Sequence, residues 1–171
     1  MLEKSDRPSA DFPCALPMPG TGFVVGYCED LFLLDGWSDR AIRHPGHLLY
    51  RLTSERATFR LRVRPDLGHL SILMVPPVLF LGRPYRGELF MEDVCLGEVN
   101  AKIETWILRR FDLPAIDRER IAEFTLRNET VFTPAKRIPG NHDFRPTGCF
   151  VGAILLGPGA ARPGEEVDLK S

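Results

Sequence analysis

From position 57 to position 64 the chain alternates without a fault. Phe59, Leu61 and Val63 fall on one side of an extended backbone, and Arg60, Arg62 and Arg64 on the other. Successive side chains on a strand point to opposite faces, whereas a helix would scatter three such arginines around its circumference. The segment therefore reads as a half-buried strand.

The rest of the chain supplies more of the same kind. Fifteen prolines and fifteen glycines punctuate it too often for long helices. Residues 23–29 are predicted as a first strand. Residues 31–37 (Leu-Phe-Leu-Leu-Asp-Gly-Trp) are predicted as an apolar strand that delivers Asp35, Gly36 and Trp37 to a turn. A loop over 38–46 ends in Pro45-Gly46 and leads to a strand over 47–53. After the alternating strand come 70–75, apolar on both faces, the break at Pro76-Pro77, and a short strand over 78–81. Residues 88–94 and 98–104 are predicted to pair around a turn at Leu96-Gly97, followed by a strand over 105–113. A helical turn capped by Asp117 is predicted within 114–120, and a strand over 121–128. A long polar connection from Phe132 through Gly140 precedes the continuously apolar run 149–156, which fits a central strand covered on both faces.

About nine short strands and almost no helix indicate an all-β chain, a two-sheet antiparallel sandwich of jelly-roll type. Residues 1–20 read as a tail or strap, 21–157 as the sandwich domain, and 158–171 as a C-terminal tail.

Composition excludes several functions. The net charge of -1 offers no bulk attraction to nucleic acid or anionic membrane. An RNA-binding sheet would interleave aromatics with its basic residues, and here the aromatics take the opposite face. No apolar run approaches the ~20 residues that span a bilayer. The N-terminus lacks a hydrophobic signal core, so a cytoplasmic location is expected. The four cysteines, Cys14, Cys28, Cys95 and Cys149, are too scattered for a zinc site and are expected as reduced thiols. His44, His47, His69 and His142 lack the H-x-H spacing of a metal-binding jelly roll, so neither metal nor cofactor is expected. No nucleophile–base motif accompanies Cys95 or Cys149, and the reading leans toward a protein without catalytic residues.

Candidate ligand contacts lie in three places. Trp37 can stack on a sugar ring or anchor the core, and its position at the end of an apolar strand favours the core; Trp106 admits both readings equally. Arg40, Arg43 and His44 stand in the loop that follows Trp37. Arg60, Arg62 and Arg64 form a stripe with guanidinium groups ~7 Å apart, suited to an acidic ligand or to ion pairs with neighbouring glutamates. Asp143 and Arg145 share one face of an extended backbone, where the pair can hold the turn at Gly36-Trp37 through bonds to its backbone or contact a ligand directly.

The order Gly36-Trp37-Ser38, Tyr50-Arg51-Leu52, the alternating strand, Leu113-Pro114, Phe132-Thr133-Pro134, Asp143-Phe144-Arg145 and the run 148–156 carries a resemblance. It resembles the carbohydrate-binding-module-like β-sandwich domain attached to bacterial glycosyltransferases for surface polysaccharides, over roughly residues 31–157. It departs from that pattern after Gly-Trp, where Arg40 and Arg43 stand and no acidic residue is picked out, at Leu52 in place of an aromatic, and at Leu96-Gly97 in place of Asn-Gly. The resemblance implies a non-catalytic module that binds carbohydrate or a partner glycosyltransferase. A jelly-roll enzyme acting on sugars and a structural domain are the rival expectations. The two-faced apolar runs 70–75 and 149–156 leave a homo-oligomer open.

Overall fold

The computed structural model of the chain describes residues 22–26, 29, 32–43 and 49–159, Arg43 by its backbone only. Two antiparallel sheets pack face to face. One contains β1 (Gly22–Val24), β2 (Ile42–Arg43), β3 (Leu49–Leu52), β5 (Leu67–Val75), β8 (Ile107–Asp112) and β10 (Phe150–Pro158). The other runs in the order β4 (Arg56–Val63), β9 (Arg120–Asn128), β6 (Tyr85–Met91), β7 (Val94–Ala101). Among the described residues two short helices, α1 (Val78–Leu81) and α2 (Pro134–Arg137), accompany the sheets.

The alternation in β4 sets its side of the core. Phe59, Leu61 and Val63 are buried and face inward, and across the β4–β9 register Phe59 lies opposite Phe124 and Leu61 opposite Ala122. Leu70, Ile72 and Met74 of β5, with Val151, Ile154 and Leu156 of β10, close the core from the other sheet. Each such side chain contributes about 1.5–3 kcal/mol by leaving water. β10 is a central strand, as its unbroken apolarity requires. It pairs with β5 along one edge, and with β3 at Phe150–Val151 and β1 at Ala153–Leu155 along the other.

A buried polar chain links the two sheets through this core. The Tyr85 hydroxyl donates to Asn128 Oδ1, and the Asn128 amide donates to Thr53 Oγ1 (3.1 Å) and to the Ser54 carbonyl. Thr53 Oγ1 in turn donates to the Cys149 carbonyl (2.9 Å) and accepts from the Cys149 amide (3.0 Å). Every member has a partner, which is the condition under which a buried network adds rigidity.

Several expected elements differ. The predicted first strand shortens to β1 and turns at Val25–Gly26. Residues 78–81 form α1 because Pro76-Pro77 ends the strand and Gly82, at φ 65, provides a left-handed cap donating to Val78 O; a short apolar run has no period that separates strand from helix. The hairpin turn is Glu92-Asp93, with Glu92 at φ 56 and its carboxylate held by Arg120. Leu96-Gly97 instead lies inside β7, at a bulge opposite Leu89 and Phe90. Residues 114–119 form no helix, and the helical turn is α2, started by Pro134 at its first position within the supposed polar connection. The loop after Trp37 contains β2, paired with β3. The strap over 1–20 lies outside the described residues, and of 158–171 only Pro158, in β10, and Gly159 fall within them.

The segment around Trp37 is not a regular strand. Residues 32–35 run beside β4, where Leu34 N–H donates to Thr58 O (3.0 Å), Thr58 N–H to Asp35 O (2.8 Å) and Arg60 N–H to Phe32 O (2.8 Å). Two residues later the chain has crossed to the other sheet: Ser54 N–H donates to Gly36 O (2.8 Å) and Ser38 N–H to Leu52 O (2.9 Å). The crossing turns at Gly36, whose φ is 83 and whose missing Cβ would lie 1.8 Å from Arg56 O. Only glycine fits there.

Candidate cleft at the Trp37 crossing

Trp37 sits at that crossing, half-buried. Its Nε1–H donates to Thr58 O at 2.7 Å, and its rings meet Phe23 and Phe59 edge-on with centroids 6.2 and 6.1 Å away. The core role is therefore real. The remaining indole surface lines a small cleft of about 140 Å³. Ser38, Thr53, Ser54, Asp143, Arg145 and Pro146 line it too.

The loop that carries Asp143 and Arg145 is tied down by hydrogen bonds. Asp143 N–H donates to Asn141 Oδ1 (2.7 Å), Arg145 N–H to Asp143 Oδ1 (3.0 Å), and Ala135 N–H to Asp143 O (2.9 Å). The Arg145 guanidinium closes on Asp143 with two nitrogens, Nε to Oδ1 at 3.0 Å and Nη2 to Oδ2 at 2.8 Å. That fork, with the Arg145 amide added, holds the Asp143 carboxyl below its ordinary range. Nη1 of Arg145 faces Asp39 Oδ2 at 3.9 Å. The pair lies beside Gly36-Trp37, yet its hydrogen bonds serve its own loop, and the expected bonds to the turn's backbone are made instead by Ser54 and by Leu52 O.

Ser38, beside Trp37, is held by a buried brace. Arg51 Nη1–H donates to Ser38 O (2.7 Å), while Nε and Nη2 donate to Glu29 Oε1 (3.2 and 3.1 Å). Glu29 Oε2 accepts from Gly26 N–H at 2.9 Å. Both side chains are under a tenth exposed.

The structure thus brings together Trp37, Asp143 and Arg145. Arg40 is exposed in the adjoining loop, and the side chains of Arg43 and His44 lie outside the described residues. Arg60, Arg62 and Arg64 are elsewhere, on and just past the outer face of β4. Each is ion-paired: Arg60 with Glu123 (3.3 Å), Arg62 with Glu119 (2.7 Å) and Arg64 with Asp66 (3.0 Å). Trp106 packs over Gly152, whose missing Cβ would lie 2.9 Å from the indole. Among the described residues no group of three or more metal-ligating side chains forms.

Two residues of the cleft's surroundings escaped the sequence reading. Asp39 supplies a carboxylate in the loop where the sequence singles out Arg40, Arg43 and His44. Phe144 is 71% exposed on the rigid loop between Asp143 and Arg145. An aromatic set among Asn, His, Asp, Arg and Pro, with no apolar neighbour to pack beside, was the available signal. Glu29 and Arg51 carried no such signal, because their pairing joins residues 22 apart.

Among solved structures the chain is similar to the Podospora anserina GH26-CBM35 beta-(1,4)-mannanase, with a TM-score of 0.51 and 14% identity; the match covers 86% of this chain and 29% of that one. The fold is that of a carbohydrate-binding-module β-sandwich. Two family 6 carbohydrate-binding modules are also similar. One is known from dissection of its binding sub-sites (TM-score 0.44, 8% identity, 73% of this chain and 84% of that one). The other is the C-terminal CBM6 of the laminarinase LamC from Zobellia galactanivorans (TM-score 0.41, 11% identity, 74% and 90%). No protein-family model matches the sequence, and no curated protein sequence does. The chain spans less than a third of the mannanase, and at this identity the likeness is one of fold. Among the described residues no helix is long and apolar enough to cross a membrane.

Proposed function

We propose that the chain is a non-catalytic carbohydrate-binding module whose ligand occupies the cleft at the Trp37 crossing. The observation that carries this is the meeting of a half-buried indole with the Asp143–Arg145 pair in one rigid cleft. A pyranose presents an apolar C–H face that suits an aromatic surface, and its hydroxyls take hydrogen bonds from a fixed polar rim. Phe144 adds an exposed aromatic surface beside the rim. The sequence resemblance supports the finer setting: a partner glycosyltransferase in bacterial surface-polysaccharide metabolism, with the module serving to hold polymer near the enzyme.

The test is a titration of the protein with an oligosaccharide panel, read by tryptophan fluorescence in the wild type and in Trp106→Phe. Binding shifts the Trp37 emission in both. A panel that leaves the emission of both unchanged refutes glycan binding in this cleft.

A further inference from the structure

Resting on that reading, we propose that the cleft selects uncharged glycans over uronates, and that Asp143 sets this choice by occupying the guanidinium of Arg145. An arginine in a sugar-binding cleft would ordinarily be the group that takes an acidic sugar, because its planar fork matches a carboxylate with two parallel bonds. Here that fork is filled. The Nε and Nη2 edge is closed on Asp143, and Nη1 is turned toward Asp39. The remaining end-on edge, Nη1 with the second N–H of Nη2, faces Asp39, so a uronate carboxylate meets another carboxylate there.

The charge count points the same way. Asp143 and Arg145 are the charged residues that line the cleft, and Asp39 stands against Arg145 from outside. Asp39 adds a second carboxylate beside the Asp143–Arg145 pair, so a uronate that approaches Nη1 meets like charge. The other polar groups of the cleft are satisfied within the fold. Ser38 Oγ donates to Arg40 O and accepts from Leu52 N–H, Ser54 Oγ donates to Arg56 O, and Thr53 Oγ1 belongs to the buried network. What the cleft offers a ligand is chiefly apolar surface with a carboxylate rim. Carboxylates accept hydrogen bonds from neutral hydroxyls and repel acids.

Matched tetrasaccharide pairs test this: gluco- against glucurono-, galacto- against galacturono-, manno- against mannurono-, each titrated calorimetrically at low salt. In the wild type the neutral member of the bound pair binds at least about tenfold tighter, the order expected for one like charge at partly solvated range. Asp143→Asn keeps the side-chain shape, frees the fork, and moves the neutral-to-uronate ratio at least about tenfold toward the uronate. Adding Arg145→Gln to that variant removes the gain, which separates a freed guanidinium from a loosened loop. A wild type that binds the uronate as tightly as its neutral partner overturns the proposal, as does an unchanged ratio in Asp143→Asn. Binding of neither member of any pair overturns the glycan reading itself.

Discussion

The buried Glu29–Arg51 pair is where the account is most exposed to a stability measurement. Replacing either residue by methionine keeps much of the volume; Arg51→Met strands the Glu29 carboxylate, and Glu29→Met takes from the Arg51 guanidinium the carboxylate at 3.1 Å, in a site under a tenth exposed. Removing one partner of a buried pair costs about 3–5 kcal/mol, because the survivor keeps its desolvation penalty without its counter-charge. At ~2–4 °C per kcal/mol for a chain of this size, Tm falls by roughly 6–20 °C. The double variant Glu29→Met/Arg51→Met removes both charges of the pair. It loses the partners of Gly26 N–H and Ser38 O, of which the exposed Gly26 recovers water, so its cost is about 1–3 kcal/mol. The two single effects therefore fail to add by at least about 2 kcal/mol. Urea unfolding of all four proteins, followed by tryptophan fluorescence at constant m, measures this. Single variants that each cost under about 1 kcal/mol, or effects that add, would refute the brace.

Two further outcomes follow from titratable groups. Asp143 has a carboxyl held below its ordinary range, so it contributes stability that is present above the usual aspartate pKa and lost as pH falls through the depressed folded value. Acid unfolding of Asp143→Asn should lack that component, and its stability curve should converge on the wild type only below about pH 4. Burial pushes the Cys149 thiol up to about 11, with partial relief from Thr53 and Tyr85. Iodoacetamide at pH 8 should alkylate the exposed Cys95 in the native protein and reach Cys149 only on unfolding, as peptide mapping by mass spectrometry would show. Modification of Cys149 at the rate of Cys95 would contradict its place in the core.

The sheets were legible in the sequence wherever one period ruled. β4 and β9 alternate in and out, β10 is apolar throughout, and these three strands fix most of the sandwich. Legibility failed at short apolar runs and turns. A four-residue run such as 78–81 spans one helical turn and leaves the flanking prolines and Gly82 to decide. At 92–97 glycine drew the turn to the wrong place, because Glu92 accepts a left-handed backbone while Gly97 serves a bulge. The cleft was half legible: Trp37, Asp143 and Arg145 were all selected, although nothing in one sequence could place residues 106 apart in one cleft. The arginine stripe was legible as a face, with pairing to neighbouring glutamates as one of its two readings. Which acids serve it was not legible: Glu123 stands opposite Arg60 in the β4–β9 register, while Glu119, just before β9, reaches Arg62, whose register partner is Ile121. Such exposed pairs are worth about 0–1 kcal/mol each and shape the surface charge more than the fold.

The central claim is that this sandwich binds glycan at the Trp37 crossing. Amide and indole chemical-shift mapping of the labelled protein, with whichever oligosaccharide moves the Trp37 emission, tests it most directly. The account predicts shifts concentrated on the Trp37 Nε1–H and on the amides of Ser38, Ser54 and Arg145, which line the cleft. Shifts that cluster instead on Arg60, Arg62 and the outer face of β9, with the cleft silent, would contradict it.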